Sequence, residues 1–280
     1  MNYGCKKEIE DKRDYKMKVT GIAKAPTYPD EYQIKMPRIK NQGAVNSCVA
    51  HSLSTFLEEC YKNENQYFSV GFIYGYRPEE YYQGEGMYPR EALKTLQKVG
   101  DVKQNDFPYN KEIPEVKNLV DKNIERLEPI ANNYKIDSYA RIYTKDEIKK
   151  CLYNDCPVPI SIPVYNNLSI DKDGIIKQAE GEIEGYHMVI LYGWNEKGYL
   201  LQNSWGITNK VATQIEIMVD GMENTVAVGD SANDIPMFEY TETTIGIKSD
   251  KTDVLKLVDI VTDTVLEDGV CHGLQKIGLI

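Results

Sequence analysis

The order in which hydrophobic patterns change along the chain constrains its fold more than any other feature. Apolar residues recur at helical spacing in two stretches before residue 100, Val49–Leu57 and Ala92–Val99. After residue 156 the pattern changes to continuous apolar runs that predict strands, at Pro157–Tyr165, Met188–Tyr192 and Tyr199–Gln202. The sequence therefore predicts a helical half followed by a β-rich half, and a cleft between two such subdomains is a common place for a site.

The last 60 or so residues change pattern again. Short apolar strands are predicted at Thr225–Asp230 and Thr243–Lys248, with a short helix at Asn233–Tyr240 between them. This strand–helix–strand order is typical of parallel α/β structure. Residues 71–90 are rich in Gly, Pro and Tyr, so a loop is predicted there.

Composition excludes several classes of protein. The chain has 280 residues and a formal net charge of −10, which disfavours nucleic-acid binding through a broad basic face. It has no run of about 18–20 uncharged apolar residues, so no membrane span is predicted. The first 20 residues are dense in charge and lack the apolar core of a secretory signal. We therefore expect no nucleic-acid partner, no membrane association, and a cytoplasmic location that keeps the six cysteines reduced.

One cysteine opens an apolar helix and is a candidate nucleophile. Cys48 directly follows Ser47, which can cap the helix. The partial positive charge of a helix N-terminus favours the thiolate form of a cysteine. Gln42, six residues earlier, can place its side-chain amide beside the Cys48 backbone N–H. Together these two donors would stabilise a developing oxyanion.

A nucleophilic cysteine needs a base, and the β-rich half supplies one. His187 enters a predicted strand 139 residues after Cys48, and Asn203 ends the next strand. Adjacent antiparallel strands can bring the two together, so that the Asn203 amide oxygen holds the imidazole N–H. His51, one helical turn past Cys48, is a competing base, although a buried, hydrogen-bonded histidine is the favoured interpretation there.

The pattern Gln-Gly-x-x-x-Ser-Cys-x-Ala, then His-x-Val, then Asn-Ser-Trp-Gly resembles the papain-type cysteine peptidases. It begins at Gln42, passes through His187 and ends at Gly206. The resemblance spans about residues 28–206 and leaves residues 1–27 as a lead-in. It implies an α+β fold with a helical left half and a β-rich right half, and thiol-dependent hydrolysis of peptide bonds through an acyl-enzyme. The implied partner is a peptide or protein substrate, and no cofactor is implied.

Carried over to this chain, the resemblance assigns a role to each matching residue. It makes Cys48 the nucleophile, His187 the base, Asn203 the residue that orients the base, and Gln42 part of the oxyanion hole. A substrate-binding set is also implied, namely Gly86, Met87 and Trp205. Trp205 would in addition shield the contact between Asn203 and His187 from water.

Some positions depart from the family pattern. Val45 replaces a cysteine that would form a structural disulfide, and Val49 replaces a tryptophan beside the nucleophile. Only 47 residues precede Cys48, which is too few for the long inhibitory propeptide of the family. A non-catalytic peptide-binding protein with the same fold is therefore the alternative function.

A second motif lies near the end of the chain. The Gly-Asp-Ser-x-Asn-Asp sequence that includes Asp230 and Asp234 resembles the last motif of the haloacid-dehalogenase-like phosphatases of the Cof type. The resemblance covers about residues 207–280 and implies that Asp230 and Asp234 hold Mg²⁺. The nucleophile motif of that fold has one weak counterpart, Asp171–Ile175, so a phosphatase is a less favoured function. The sequence therefore predicts two incomplete modules joined near residue 207, as in a natural fusion or a frameshifted product. It does not indicate the oligomeric state.

Overall fold

The chain forms two compact units in a computed structural model. The first comprises Met1–Ile142 and Asp146–Ile217, and the second comprises Tyr143–Lys145 and Met218–Ile280. The structure describes residues 3–8, 27–62, 67–77, 86–109, 113–170, 174–176, 181–206, 214–215, 226–230, 243–249 and 255–278.

Helices dominate the chain between residues 48 and 153. In the described part they are α1 Cys48–Cys60, α2 Val70–Gly75, α3 Pro89–Lys98, α4 Ile113–Ala131 and α5 Lys145–Tyr153. Helix α1 is buried along most of its length, and its buried residues include polar and charged ones as well as apolar ones. None of the described helices is long and apolar enough to cross a membrane.

A mixed sheet forms the other half of the first unit. Its strands are β1 Tyr32–Gln33, β2 Val158–Tyr165, β3 Ile175–Ile176, β4 Ile183–Asn195, β5 Gly198–Gln202 and β6 Gln214–Ile215. The long strand β4 pairs antiparallel with β1, β2 and β5. Its middle residues are buried on both faces, so β4 is the strand on which the helical half can pack.

Among the described residues, two apolar clusters help to hold the first unit together. The larger one surrounds α1 and joins it to α3 and to Met188 of β4. The second lies between α2 and α4 and includes Phe72, Val116, Val120 and Leu127. The helical half thus contacts the sheet mainly through α1, and this places the first residue of α1 at the boundary between the two halves.

The predicted α+β architecture, with a helical half followed by a β-rich half, is confirmed, with local differences. The loop predicted for residues 71–90 is wrong at its start, because Val70–Gly75 forms the buried helix α2. The Ser69 hydroxyl caps α2 by accepting from the Phe72 N–H at 3.1 Å. Helix α4 has no counterpart in the prediction, because its buried positions occupy one narrow face among charged residues.

The second unit contains a parallel sheet. Its described strands are β7 Val226–Gly229, β8 Thr243–Ile247 and β9 Ile260–Thr262, in that spatial order. The α-helix described in this unit is α6, Gly269–Lys276. The two strands predicted in this segment, and their parallel pairing, are confirmed. The helix predicted at Asn233–Tyr240 lies outside the described residues.

Candidate active site

The thiol of Cys48 lies where helix α1 meets strand β4. Cys48 is fully buried, and its Sγ accepts a hydrogen bond from the Met188 N–H at 3.4 Å. The Met188 carbonyl in turn accepts from the Ser52 hydroxyl, one turn along α1, at 3.0 Å. The N–H and the carbonyl of Met188 thus both bind residues of α1. These two bonds hold the Cys48 thiol beside the residue that precedes Met188 on β4.

That preceding residue is His187. Its Nε2 lies 2.8 Å from Asn203 Oδ1, because the antiparallel pairing of β4 with β5 brings the end of β5 beside the middle of β4. The same Asn203 oxygen accepts from the Ser204 N–H at 2.7 Å, which fixes the amide. His187 Nδ1 finds no hydrogen-bond partner among the described residues. Since Asn203 engages Nε2, Nδ1 is the nitrogen left for proton exchange.

Trp205 covers one face of the imidazole. The ring centroids of His187 and Trp205 are 4.5 Å apart, with the planes tilted by 23°. A stacked indole keeps water from one face of the histidine and limits rotation of its ring. This contact is the one expected for a residue that shields the Asn203–His187 hydrogen bond.

Gln42 connects the loop before Cys48 to the residues after β5. Its Nε2 donates to the Val45 carbonyl at 2.9 Å, and its backbone N–H donates to the Ser204 carbonyl at 2.8 Å. The Ser204 hydroxyl also donates to Gln42 Oε1. Gln42 is fully buried, so the predicted oxyanion residue and the Asn203–Ser204 pair form one connected unit.

A short extended stretch, Tyr3–Glu8, lies across the thiol, and we call it the cover segment. The Cys5 N–H donates to the Tyr186 carbonyl at 3.2 Å, and the Lys6 N–H donates to the Met87 carbonyl at 2.9 Å. The Met87 N–H donates back to the Gly4 carbonyl at 2.8 Å. Six residues thus cover the site.

Glycines allow the cover segment to approach so closely. A Cβ added at Gly4 would overlap the carbonyl of Asn46, two residues before the nucleophile. A Cβ added at Gly86 would lie 2.7 Å from the Gly4 carbonyl oxygen, and Gly86 has a positive φ of 92°. The predicted substrate-binding residues Gly86 and Met87 therefore lie at the site, where they bind a stretch of the chain itself.

Burial controls the ionisation of the site. Removal from water raises the pKa of Cys48 to about 11. Hydrogen bonds from the Met188 and Gly4 amides lower this pKa, but their effect is smaller than that of burial. Burial also lowers the pKa of His187 to about 4. The hydrogen bond to Asn203 raises this pKa, but by less than burial lowers it. The expected lowering of the thiol pKa at the helix N-terminus is thus outweighed, and the covered site holds a neutral thiol and a neutral imidazole.

The depressed pKa of His187 predicts loss of stability in acid. The unfolded chain binds a proton below pH 6.5 and the folded chain does not until about pH 4. Stability from this group is therefore present above pH 6.5 and is lost as the pH falls toward 4. The expected loss between pH 7.5 and pH 5 is about 2 kcal/mol. Urea unfolding of His187→Gln should show a loss of unfolding free energy over this pH range that is smaller than that of the native chain by about 2 kcal/mol.

The native chain is the reference for this prediction, measured by urea unfolding at both pH values. If His187→Gln and the native chain lose equal stability between pH 7.5 and pH 5, His187 is not held neutral in the folded state.

The competing histidine near the nucleophile is a buried structural residue. His51 is 2% exposed, and its Nδ1 lies 3.0 Å from the Ser47 carbonyl oxygen. The Ser47 hydroxyl lies 3.2 Å from that nitrogen and 3.2 Å from the Tyr109 hydroxyl. Ser47 therefore makes no side-chain cap, contrary to the prediction, because its hydroxyl is taken up by these contacts.

The predicted metal site is only partly described. Asp230 follows β7, and its backbone carbonyl accepts from the Ser249 hydroxyl at 2.9 Å. Its predicted co-ligand Asp234 and the weak nucleophile motif Asp171–Ile175, apart from its last two residues, lie outside the described residues. Among residues that the structure describes, no three His, Cys, Asp or Glu side chains come together in a way that suits a metal ion.

Several site residues have no counterpart in the sequence prediction. They are Met188, Ser52, Ser204, Tyr186 and the cover segment. Ser52 carries a usable signal, because it lies four positions after Cys48 and so on the same face of the helix. Met188 and Tyr186 act through their backbone groups, which no side-chain pattern reveals.

Comparison with known proteins identifies the family and the fold. The family model described as papain family cysteine protease matches residues 25–228. The solved structure of xylellain, a cysteine protease from Xylella fastidiosa, is similar with a TM-score of 0.62 and 25% identity, over 76% of this chain and 87% of that one.

Two curated relatives match shorter stretches. The cathepsin B-like cysteine proteinase 1 of Haemonchus contortus is 30% identical over 86 residues, 29% of this chain and 25% of the relative, so the match spans a quarter of that protein. The putative phosphatase YkrA of Bacillus subtilis is 32% identical over 66 residues, 24% of this chain and 26% of the relative.

Proposed function

The chain belongs to the papain family of cysteine proteases, and from that membership we propose that it hydrolyses peptide bonds with Cys48 as nucleophile. His187 is the general base and acid, and Asn203 orients it. The observation that carries the proposal is the 2.8 Å contact between His187 Nε2 and Asn203 Oδ1, next to the backbone group that binds the Cys48 thiol.

The proposed reaction starts when a substrate replaces the cover segment. His187 Nδ1 takes the thiol proton, and the Cys48 thiolate attacks the peptide carbonyl carbon. The Cys48 N–H and the Gln42 side-chain amide donate to the oxyanion that forms. His187 then gives its proton to the leaving amine. A water molecule, deprotonated by His187, releases the acyl group from the sulfur and regenerates the thiol.

A thiol-directed peptidyl electrophile tests this assignment. We expect it to modify Cys48 stoichiometrically in the folded chain, as located by peptide mass spectrometry. His187→Ala should slow the labelling at neutral pH by at least tenfold, because the base is lost. Cys271→Ala, at a half-buried thiol on helix α6 of the second unit, is the matched control and should leave the labelling rate unchanged.

The same experiment separates the proposal from its alternative. A peptide substrate should be cleaved by the native chain and left intact by Cys48→Ala. Peptide binding without an acyl-enzyme, in a chain with a cooperative thermal melt, would instead identify a non-catalytic peptide-binding protein. Equal labelling of another cysteine, or no labelling of the folded chain, would overturn the assignment of Cys48.

For the end of the chain we propose a separate origin. Residues 207–280 are a fragment of a haloacid-dehalogenase-like fold, joined to the peptidase-like residues 28–206. The parallel strands β7, β8 and β9 support this proposal, as does the 66-residue match to a putative phosphatase. The proposed Mg²⁺ ligands there are Asp230 and Asp234, and magnesium titration of the native chain against Asp230→Asn tests them.

A further inference from the structure

A cavity of about 500 Å³ opens beside the cover segment, between helix α3 and strand β2. Most of its walls are apolar, with Phe56, Leu93 and Ile160 among them. The charged residues in its lining are Glu8, Arg90 and Arg141. Glu8 belongs to the cover segment. The lining that remains when a substrate replaces that segment therefore carries two arginines and no acidic residue, in a chain whose net charge is −10.

One of these arginines holds a carboxylate. Arg90 Nη1 lies 3.1 Å from Glu8 Oε2, and the Arg90 backbone N–H donates to Glu8 Oε1 at 2.6 Å. The two side chains are 17% and 21% exposed, so the ion pair is largely shielded from water. Each carboxylate oxygen is thus bound by a different group of one residue, an arrangement that selects a carboxylate over a neutral amide.

The rest of the cover segment is held through its backbone. Met87 and Tyr186 bind the backbone of Gly4, Cys5 and Lys6 by hydrogen bonds that any extended peptide can make. Selectivity among peptides must therefore come from the side-chain contacts at the ends of this stretch. The contact at Arg90 is an ion pair that is largely shielded from water.

We propose that Arg90 is a carboxylate-binding subsite, and that the preferred substrates carry an acidic side chain that takes the place of Glu8. The inference rests on the proposed peptidase function and names the substrate class for it. Peptides with aspartate or glutamate at one fixed distance from the scissile bond are the ligands that fit the apolar cavity and its arginine.

Paired fluorogenic peptides test the subsite in the full-length chain. Each pair differs by Glu against Gln at one of the four positions on either side of the scissile bond. We expect one position at which Glu raises kcat/KM about tenfold, because a shielded, charge-assisted hydrogen bond is lost with Gln. In Arg90→Gln that preference for Glu over Gln, taken as the ratio of kcat/KM within one pair, should fall below about twofold.

Lys94→Gln is the matched control, because it removes one positive charge from the same helix four residues further on, at a side chain 39% exposed. It should keep the preference for Glu. The inference is overturned if no position favours Glu, or if Arg90→Gln retains the preference.

A binding arm separates this inference from the peptidase proposal. If no peptide is cleaved, the same pairs are titrated by fluorescence anisotropy into Cys48→Ala. A preference for Glu in Kd that Arg90→Gln removes then supports the subsite although hydrolysis has failed. Equal Kd values for Glu and Gln peptides overturn it.

Discussion

Replacing Gly4 by valine is expected to raise the rate at which a small alkylating agent modifies Cys48 at pH 7.5 by about 100-fold. The valine Cβ would overlap the Asn46 carbonyl, so the cover segment must leave the thiol. Burial, which holds the pKa of Cys48 at about 11 against an ordinary value of 9.0, is then relieved. The thiolate fraction at this pH rises about tenfold for each pKa unit recovered.

The measurement is the rate of iodoacetamide incorporation at Cys48, followed by mass spectrometry in the folded chain. Lys7→Val is the matched control, because Lys7 is the exposed residue of the same segment and its substitution creates no overlap. Equal rates for Gly4→Val and the native chain, with unchanged thermal melts, would show that the cover segment does not limit access to the thiol.

The second large effect concerns stability. Lys40 Nζ lies 2.9 Å from Glu58 Oε1 on α1, with side chains only 9% and 2% exposed. Lys40→Met should lower the free energy of unfolding by about 3–5 kcal/mol, because it leaves a buried carboxylate without its cation. Urea denaturation at neutral pH measures this loss.

Two further variants give this prediction its controls. Lys62→Met breaks an ion pair with Glu59 in which the lysine is 49% exposed, and it should cost no more than about 1 kcal/mol. The double variant Lys40→Met with Glu58→Gln should recover much of the loss, because the Glu58 carboxylate is then no longer buried without its cation. A loss for Lys40→Met as small as that for Lys62→Met would show that the buried pair is not ionised.

The residues with distinctive chemistry could be predicted from the sequence, because a nucleophile, a base and an orienting amide must occur in a workable order. The structure brings His187 and Asn203 into contact, and it puts the Cys48 thiol next to the His187 backbone. Helices α1 and α3 were predictable from apolar periodicity. Helix α4 was not, because a narrow apolar face among charges gives only a weak periodic signal.

The ionisation of the Cys48 thiol and its cover by an earlier segment could not be predicted from the sequence. A helix N-terminus favours a thiolate, but the pKa of Cys48 depends on whether water reaches it, and that depends on residues 40 positions earlier. The cover segment binds through backbone groups and has no side-chain pattern of its own. The domain boundaries, the metal ligands and the cytoplasmic location stay predictions.

Strand β4 contributes both to the candidate active site and to the binding of the cover segment over it. It supplies His187, the proposed base, and the Tyr186 carbonyl next to it, which holds Cys5. Because adjacent residues of one strand supply both, the strand pairing that brings the proposed base beside Cys48 also places one anchor of the cover segment there.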